Sequence, residues 1–191
     1  MPKILESIVT TRGADDQTHI APMGVHCLDR RLLLKPFRPS QTLENLQREG
    51  CAVVNRPDDI RVYAGCLTGR YEWPLTSAEI VPCQRLENCL SHAEVEVESF
   101  DDDPIRPTFT CKIVHETVHA PFQGYNRAQA AVIELAILVS RLGRLPDEKI
   151  RGEIEYLEIA IEKTAGEIEL EAWNWLMERV HEHFAPKEAA S

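Results

Sequence analysis

Apolar residues alternate with polar ones in short runs along the first two thirds of the chain, and recur every three to four residues along the last third. Leu5-Glu6-Ser7-Ile8-Val9-Thr10-Thr11 reads as a strand, Gly13-Ala14-Asp15-Asp16 as its turn, and His19 to Cys27 as the strand that returns beside it. Arg31 to Lys35 is a third apolar run, ended by Pro36 and Pro39, after which Ser40 stands where a helix over Thr42 to Glu49 needs its cap. Cys51-Ala52-Val53-Val54-Asn55 has the continuous apolarity of a buried strand. Ala93 to Glu98 and Thr108 to His119 both alternate with period two, and Asp101-Asp102-Asp103-Pro104 supplies the turn between them, so an antiparallel pair is expected. The stretch Pro57 to Glu87 mixes proline, glycine, aromatics and charge, and predicts only loops and short helical pieces.

Beyond Asn126 the period changes. Ala128, Val132, Leu135, Val139 and Leu142 share one helix face, with Asn126 placed as its cap. Ile150, Ile154, Leu157 and Ile161 form a second stripe, and Trp173, Met177, Val180 and Phe184 a third. Thr164-Ala165-Gly166-Glu167 has the form of a capping box and places a break near Thr164. Glu153, Glu155 and Glu158 form a solvated face. Strands first and helices after predict an α+β protein whose boundary lies near Ala120 to Gly124. We expect a β unit over residues 1–122 and an antiparallel helical extension over residues 123–191, packed on it.

At 191 residues the chain can bury a core without staples. A net charge of -10 argues against nucleic acid, whose phosphates are held by clustered Lys and Arg. The opening Met1-Pro2-Lys3-Ile4-Leu5-Glu6-Ser7 meets a carboxylate before any apolar run develops, unlike a secretory signal. Ala130 to Val139, the most apolar stretch, is too short for a bilayer and carries Glu134. A soluble cytoplasmic protein with no membrane association is expected. Cys27, Cys51, Cys66, Cys83, Cys89 and Cys111 contain no C-x-x-C pair, and free, mostly core thiols follow.

Candidate chemistry sits in three places. His115-Glu116-Thr117-Val118-His119 matches the H-E-x-x-H pattern by which a helix presents two imidazoles to zinc. Here the surrounding residues are β-branched and alternate, and in a strand two residues four apart are about 13 Å from each other, too far to share one ion. The expectation is a strand with two histidines on one face and no metal. Cys83, Cys89 and His92 match no common zinc module. Lys35 to Leu46 brings Arg38, Ser40, Thr42 and free N–H groups to a helix start, the outline of an anion site, though an ordinary Ser-capped helix with a surface arginine has the same sequence. Ala21-Pro22-Met23-Gly24-Val25 puts Pro and Gly into a strand, as happens where a flat ligand approaches the backbone, and also at a bulge.

Together with Val53-Val54-Asn55, these segments resemble the FMN-binding split-barrel superfamily of flavin reductases and pyridoxamine-phosphate oxidases. More closely, the chain resembles a family of split-barrel proteins seen chiefly in archaea and in bacteria with pterin-linked one-carbon metabolism. The residues that carry this are Glu6 to Thr11, Ala21 to Val25, Phe37 to Leu46 and Tyr125 to Glu134. The resemblance implies an antiparallel split β-barrel with bound FMN. Arg38, Ser40 and Thr42 would hold the phosphate, Pro22, Met23 and Gly24 would run along the isoalloxazine or ribityl chain, and Asn55 would close the site. It also implies a homodimer with the flavin near the subunit interface. Asn126 and Arg127, beside Tyr125, become candidates for the substrate side or a second cofactor contact, with a plain helix cap as the other reading of Asn126. The function expected is a flavin reductase-like oxidoreductase whose partner is a reduced nicotinamide or a pterin-type small molecule. No dinucleotide fingerprint identifies the donor, and a non-catalytic flavin carrier, sensor or interaction protein is the competing reading.

Overall fold

The computed structural model describes residues 3–185. Its elements in chain order are β1 (Lys3–Arg12), β2 (Thr18–Leu28), β3 (Arg31–Leu34), α1 (Gln41–Glu49), β4 (Cys51–Arg56), α2 (Arg61–Thr68), β5 (Leu75–Ser77), β6 (Gln84–Leu86), β7 (Ser91–Asp101), β8 (Thr108–Val118), α3 (Arg127–Val139), α4 (Asp147–Thr164) and α5 (Glu167–Phe184). They fall into two compact units, Met1–Asp58 with Glu72–Phe122, and Asp59–Tyr71 with Gln123–Ser191. The fold is α+β, a barrel unit and a helical unit. Met1 and Pro2, part of the opening run read above, lie outside the described residues.

In the first unit six antiparallel strands close in the order β1-β2-β3-β8-β7-β4. β1 and β2 pair without a break from Lys3 opposite Cys27 to Arg12 opposite Thr18, so Pro22 and Gly24 interrupt nothing on that edge. The barrel is filled by one face of each strand, including Val9, Val25, Leu34, Val54, Val95 and Phe109, with Leu43 and Leu46 of α1 in the same cluster. Those two leucines lie three apart, which sets them on one helix face. Asn45 beside them is fully buried and donates its amide to Thr11 Oγ1 at 3.0 Å.

The apolar run of β4 has a physical reason. Ala52 and Val54 point into the barrel, whereas Cys51 and Val53 pack under Val81 and Cys83, so both faces are covered. The segment read only as loops and helical pieces supplies that cover. It also contributes α2 and a two-stranded β5-β6 sheet, whose three-residue strands are too short for alternation to register. Asn55 ties β6 to the barrel: its amide donates to Ile8 O and Thr10 Oγ1, and its Oδ1 accepts the Leu86 N–H at 2.8 Å. Cys51 and Cys83 bring their sulfurs to 3.7 Å, and all six cysteines are free thiols.

In the second unit α3 contacts α4 and α5, and α2 contacts α5 and α3. Leu135, Ile150 and Leu176 are fully buried there. Asn126 caps α3 through Ala128 N–H at 2.7 Å and donates to Thr164 O at 3.2 Å. The expected capping box is shifted: Thr164 Oγ1 turns back to Ala160 O and accepts Ala128 N–H, and the cap of α5 is instead Gly166 N–H donating to Glu169 Oε2 at 2.9 Å. No helix among the described residues is long and apolar enough to cross a membrane.

Because Asn55 is wholly buried and its loss strands the Leu86 N–H and a strand carbonyl, Asn55→Ala is expected to lower the unfolding free energy by about 2–4 kcal/mol. A urea denaturation midpoint equal to that of the parent protein would contradict this account.

Candidate functional site

β3 is only four residues long, and the chain leaves it through Lys35 to Ser40 before entering α1. Ser40 is extended (φ -160°, ψ 149°) and its Oγ accepts the Leu43 N–H at 3.3 Å, an N-cap that leaves other first-turn N–H groups without an intrahelical acceptor. The segment is fastened to the β7–β8 turn by Arg38 N–H donating to Ile105 O at 3.1 Å and by Arg106 Nε donating to Lys35 O at 3.3 Å. The Arg106 guanidinium lies 4.8 Å from the centre of the exposed Phe37 ring. Lys35, Arg38 and Arg106 thus gather at one place on an acidic protein. His26 on β2 registers them: burial first, then the charges of Lys35 and Arg106, push its pKa down.

Two carboxylates of the same turn, Asp102 and Asp103, are engaged. Arg38 pairs with Asp102, an ion pair exposed at the surface. Asp103 accepts the N–H groups of Arg106 and Ile105, which hold its carboxyl below the usual range. Thr42 is 3% exposed, so of the three residues assigned to a phosphate it is the one turned inward, while Arg38 and Ser40 reach the surface.

Pro22, Met23 and Gly24 lie opposite Ile8, Ser7 and Glu6 of β1. On its other edge β2 meets β3 only at His26, Cys27 and Leu28, so Ala21 to Val25 face no strand there among the described residues. Pro22, with no N–H to leave unpaired, suits such an edge. Met23 packs against the barrel core. A Cβ on Gly24 would stand 3.1 Å from Ile4 Cγ2 and 3.3 Å from Glu6 Oε1, so the glycine makes room for the side chains of β1. Asn55 spends its amide inside the barrel, as described above. Asn126 and Arg127 belong to the helical unit, the first as the cap of α3 and the second as its exposed first residue.

A further cluster escaped the sequence reading. His115 to Val118 is strand, as expected, and His115 and His119 do not act together as the H-E-x-x-H pattern requires. Instead His92 and Glu94, two apart on β7, share the outer face of the barrel with His115, which sits opposite Glu94. Glu79, from the stretch left unassigned, completes the group, and the four offer ligand atoms within 4.8 Å of one another. His92 Nε2 stands 3.1 Å from Glu79 Oε2 and 3.3 Å from Glu94 Oε1, and its Nδ1 is 2.9 Å from His119 Nε2. Burial opposes ionisation of Glu94, yet the N–H groups of Val81, Glu79 and Ile80, at 2.7 to 2.8 Å, hold its carboxyl well below the usual range. The pKa of His119 is pushed down by burial and by Arg85. The i, i+2 spacing of His92 and Glu94 was legible in the sequence. Counting back from the turn also sets His115 opposite Glu94, because the two register shifts cancel, but Glu79 comes from a stretch without periodicity and could not be placed. Cys83 and Cys89 take no part in the cluster.

Comparison with known proteins agrees with this architecture. No curated protein matches the chain. Among solved structures, the FMN-bound protein MM1853 from Methanosarcina mazei superposes with a TM-score of 0.80 at 19% identity, over 94% of this chain and 96% of that one. A putative flavin reductase from Haemophilus somnus 129pt gives 0.53 at 17% identity, over 62% and 81%. An FMN-binding protein from Thermus thermophilus with bound 1-cyclohex-2-enone gives 0.50 at 12%, over 62% and 71%. At such identities these matches speak for the fold. Residues 5–120 match the family model described as "Protein of unknown function (DUF447) N-terminal domain" and residues 126–178 match its C-terminal counterpart, and the chain therefore belongs to the DUF447 family.

Proposed function

We propose that this protein binds FMN on its barrel unit and works as a flavin reductase-like oxidoreductase. The observation that carries the reading is the segment leading into the N-cap of α1, which bears Lys35 and Arg38 and is held by Arg106 through Lys35 O, in a protein whose net charge is -10. A phosphate dianion there would take the guanidinium of Arg38, the Ser40 hydroxyl and first-turn N–H groups at the positive end of the helix dipole. Asp102 now occupies Arg38, but an exposed ion pair is worth at most about 1 kcal/mol, whereas a charge-assisted hydrogen bond is worth about 1.5–3. The phosphate wins that competition. Support also comes from the FMN-bound and flavin reductase-like proteins that share the fold.

The strand-free edge at Pro22 to Gly24 offers backbone against which a flat ring can lie, Thr42 in the first turn of α1 is proposed with Ser40 for the phosphate, and Asn55, which joins β4 to β1 and β6, for closing the site. When bound, the flavin supplies hydride and electron transfer, and the protein contributes binding, orientation and electrostatics. A homodimer follows from the resemblance, and the exposed Leu28, Phe37 and Ile105 give it apolar surface near the phosphate position. Asn126 and Arg127 are proposed for the substrate side, with a reduced nicotinamide or a pterin-type molecule as the partner.

Purified protein reconstituted with FMN and freed of excess is expected to keep one flavin per chain in its visible spectrum, and to bleach when a reduced nicotinamide is added. A flavin that stays bound but inert to every hydride carrier would move the reading to a flavin carrier or sensor. A colourless protein would remove both.

Arg38→Ala is expected to weaken FMN binding by about 2 kcal/mol, roughly thirtyfold, with an unchanged far-UV spectrum. Asp102→Asn, which frees the guanidinium, should tighten it by up to about 1 kcal/mol. Fluorescence titration measures both, and equal affinities in the two variants would show that the phosphate lies elsewhere.

A further inference from the structure

The geometry points to a divalent transition-metal site on the outer face of the barrel, formed by Glu79, His92, Glu94 and His115, with zinc as the cation that fits it. It is independent of the flavin reading, since none of its residues belongs to the α1 or β2 segments.

The donor set comes first. Two imidazoles and two carboxylates make a four-ligand shell of the kind zinc accepts. Three of their six mutual distances are close to those of a coordination polyhedron, and all lie within 4.8 Å. With bonds of about 2.0–2.2 Å in tetrahedral geometry, neighbouring ligand atoms stand about 3.3–3.6 Å apart. The observed separations are 3.1 Å (His92 Nε2 to Glu79), 3.3 Å (His92 Nε2 to Glu94) and 3.7 Å (His115 Nε2 to Glu79).

Hydrogen bonding alone cannot serve both carboxylates that face His92. His92 is fully buried, and its Nδ1 is committed to His119. One proton on Nε2 can satisfy one of the two carboxylates before it, and His115 Nε2 meets the Thr117 hydroxyl at 2.7 Å, a partner it would exchange for the ion. A cation at the centre meets all four at once and neutralises two carboxylates that otherwise repel. The surroundings are those of a supported site. His119 takes the outward N–H of His92 and so orients the ring, while three backbone N–H groups fix Glu94. Glu79 and His115 remain partly exposed and provide the path of entry. The bound ion would clamp the 79–81 segment to β7 and β8, adding a metal bridge to the hydrogen bonds that Glu94 already makes.

The test loads the full-length protein with ZnCl2, dialyses it, and measures metal content by mass spectrometry and affinity by calorimetry. One zinc per chain is expected, with a rise in Tm on loading, since an ion that binds only the folded state stabilises it. His115→Ala and Glu79→Gln, both at partly exposed positions, should each weaken zinc binding about tenfold or more and abolish the Tm rise while far-UV spectrum and FMN retention stay as in the parent. His181→Ala, in the helical unit, should keep the metal. Parent protein that retains no zinc, or zinc binding equally strong in both cluster variants, or equally weakened in the His181 variant, would overturn the site.

Discussion

A strand paired on both edges and covered on both faces can carry no unpaired polar group, and that constraint on β4 governs the barrel unit. β1 takes one edge and β7 the other. Ala52 and Val54 fill the barrel, and Cys51 and Val53 lie under the segment around Val81 and Cys83. Asn55 is tolerated because its amide is fully used, and in using it the side chain joins β4 to β1 and to β6. Closure of the sheet and burial of the middle segment both pass through this one strand.

With the barrel closed there, its opposite side is free to open. β3 is too short to accompany β2 along its length, so Ala21 to Val25 keep an unpaired edge, and the chain leaving β3 carries its cations to the start of α1. The same β7–β8 turn that pairs Asp102 with Arg38 holds the segment in place through Ile105 and Arg106. The ion pair is exposed and therefore weak, whereas the backbone beside it is well anchored.

The outer face of β7 and β8 follows a different rule. Glu94 gives its charge to three N–H groups of the covering segment, which fixes Glu79 within reach of His92 and His115. The two register shifts between β7 and β8 cancel, so His115 stands opposite Glu94 as in an unbroken ladder.

The sequence by itself determined the elements with strong periodicity: the β1–β2 hairpin, the β7–β8 pair, α1 with its Ser40 cap, and the three long helices with Asn126 at the start of the first. Hydrophobic period and cap chemistry are local, so they are written in consecutive residues. Through its motifs it also placed the chain among FMN-binding split barrels, in agreement with the fold. Only the tertiary structure decided which side chains meet. It put Thr42 and Asn55 inside, paired Arg38 with Asp102, moved the cap of α5 to Glu169, and drew Glu79, His92, Glu94 and His115 from three separate segments into one cluster. Such contacts depend on strand register and on where a low-periodicity segment is laid, and both are settled by packing between residues far apart in the chain.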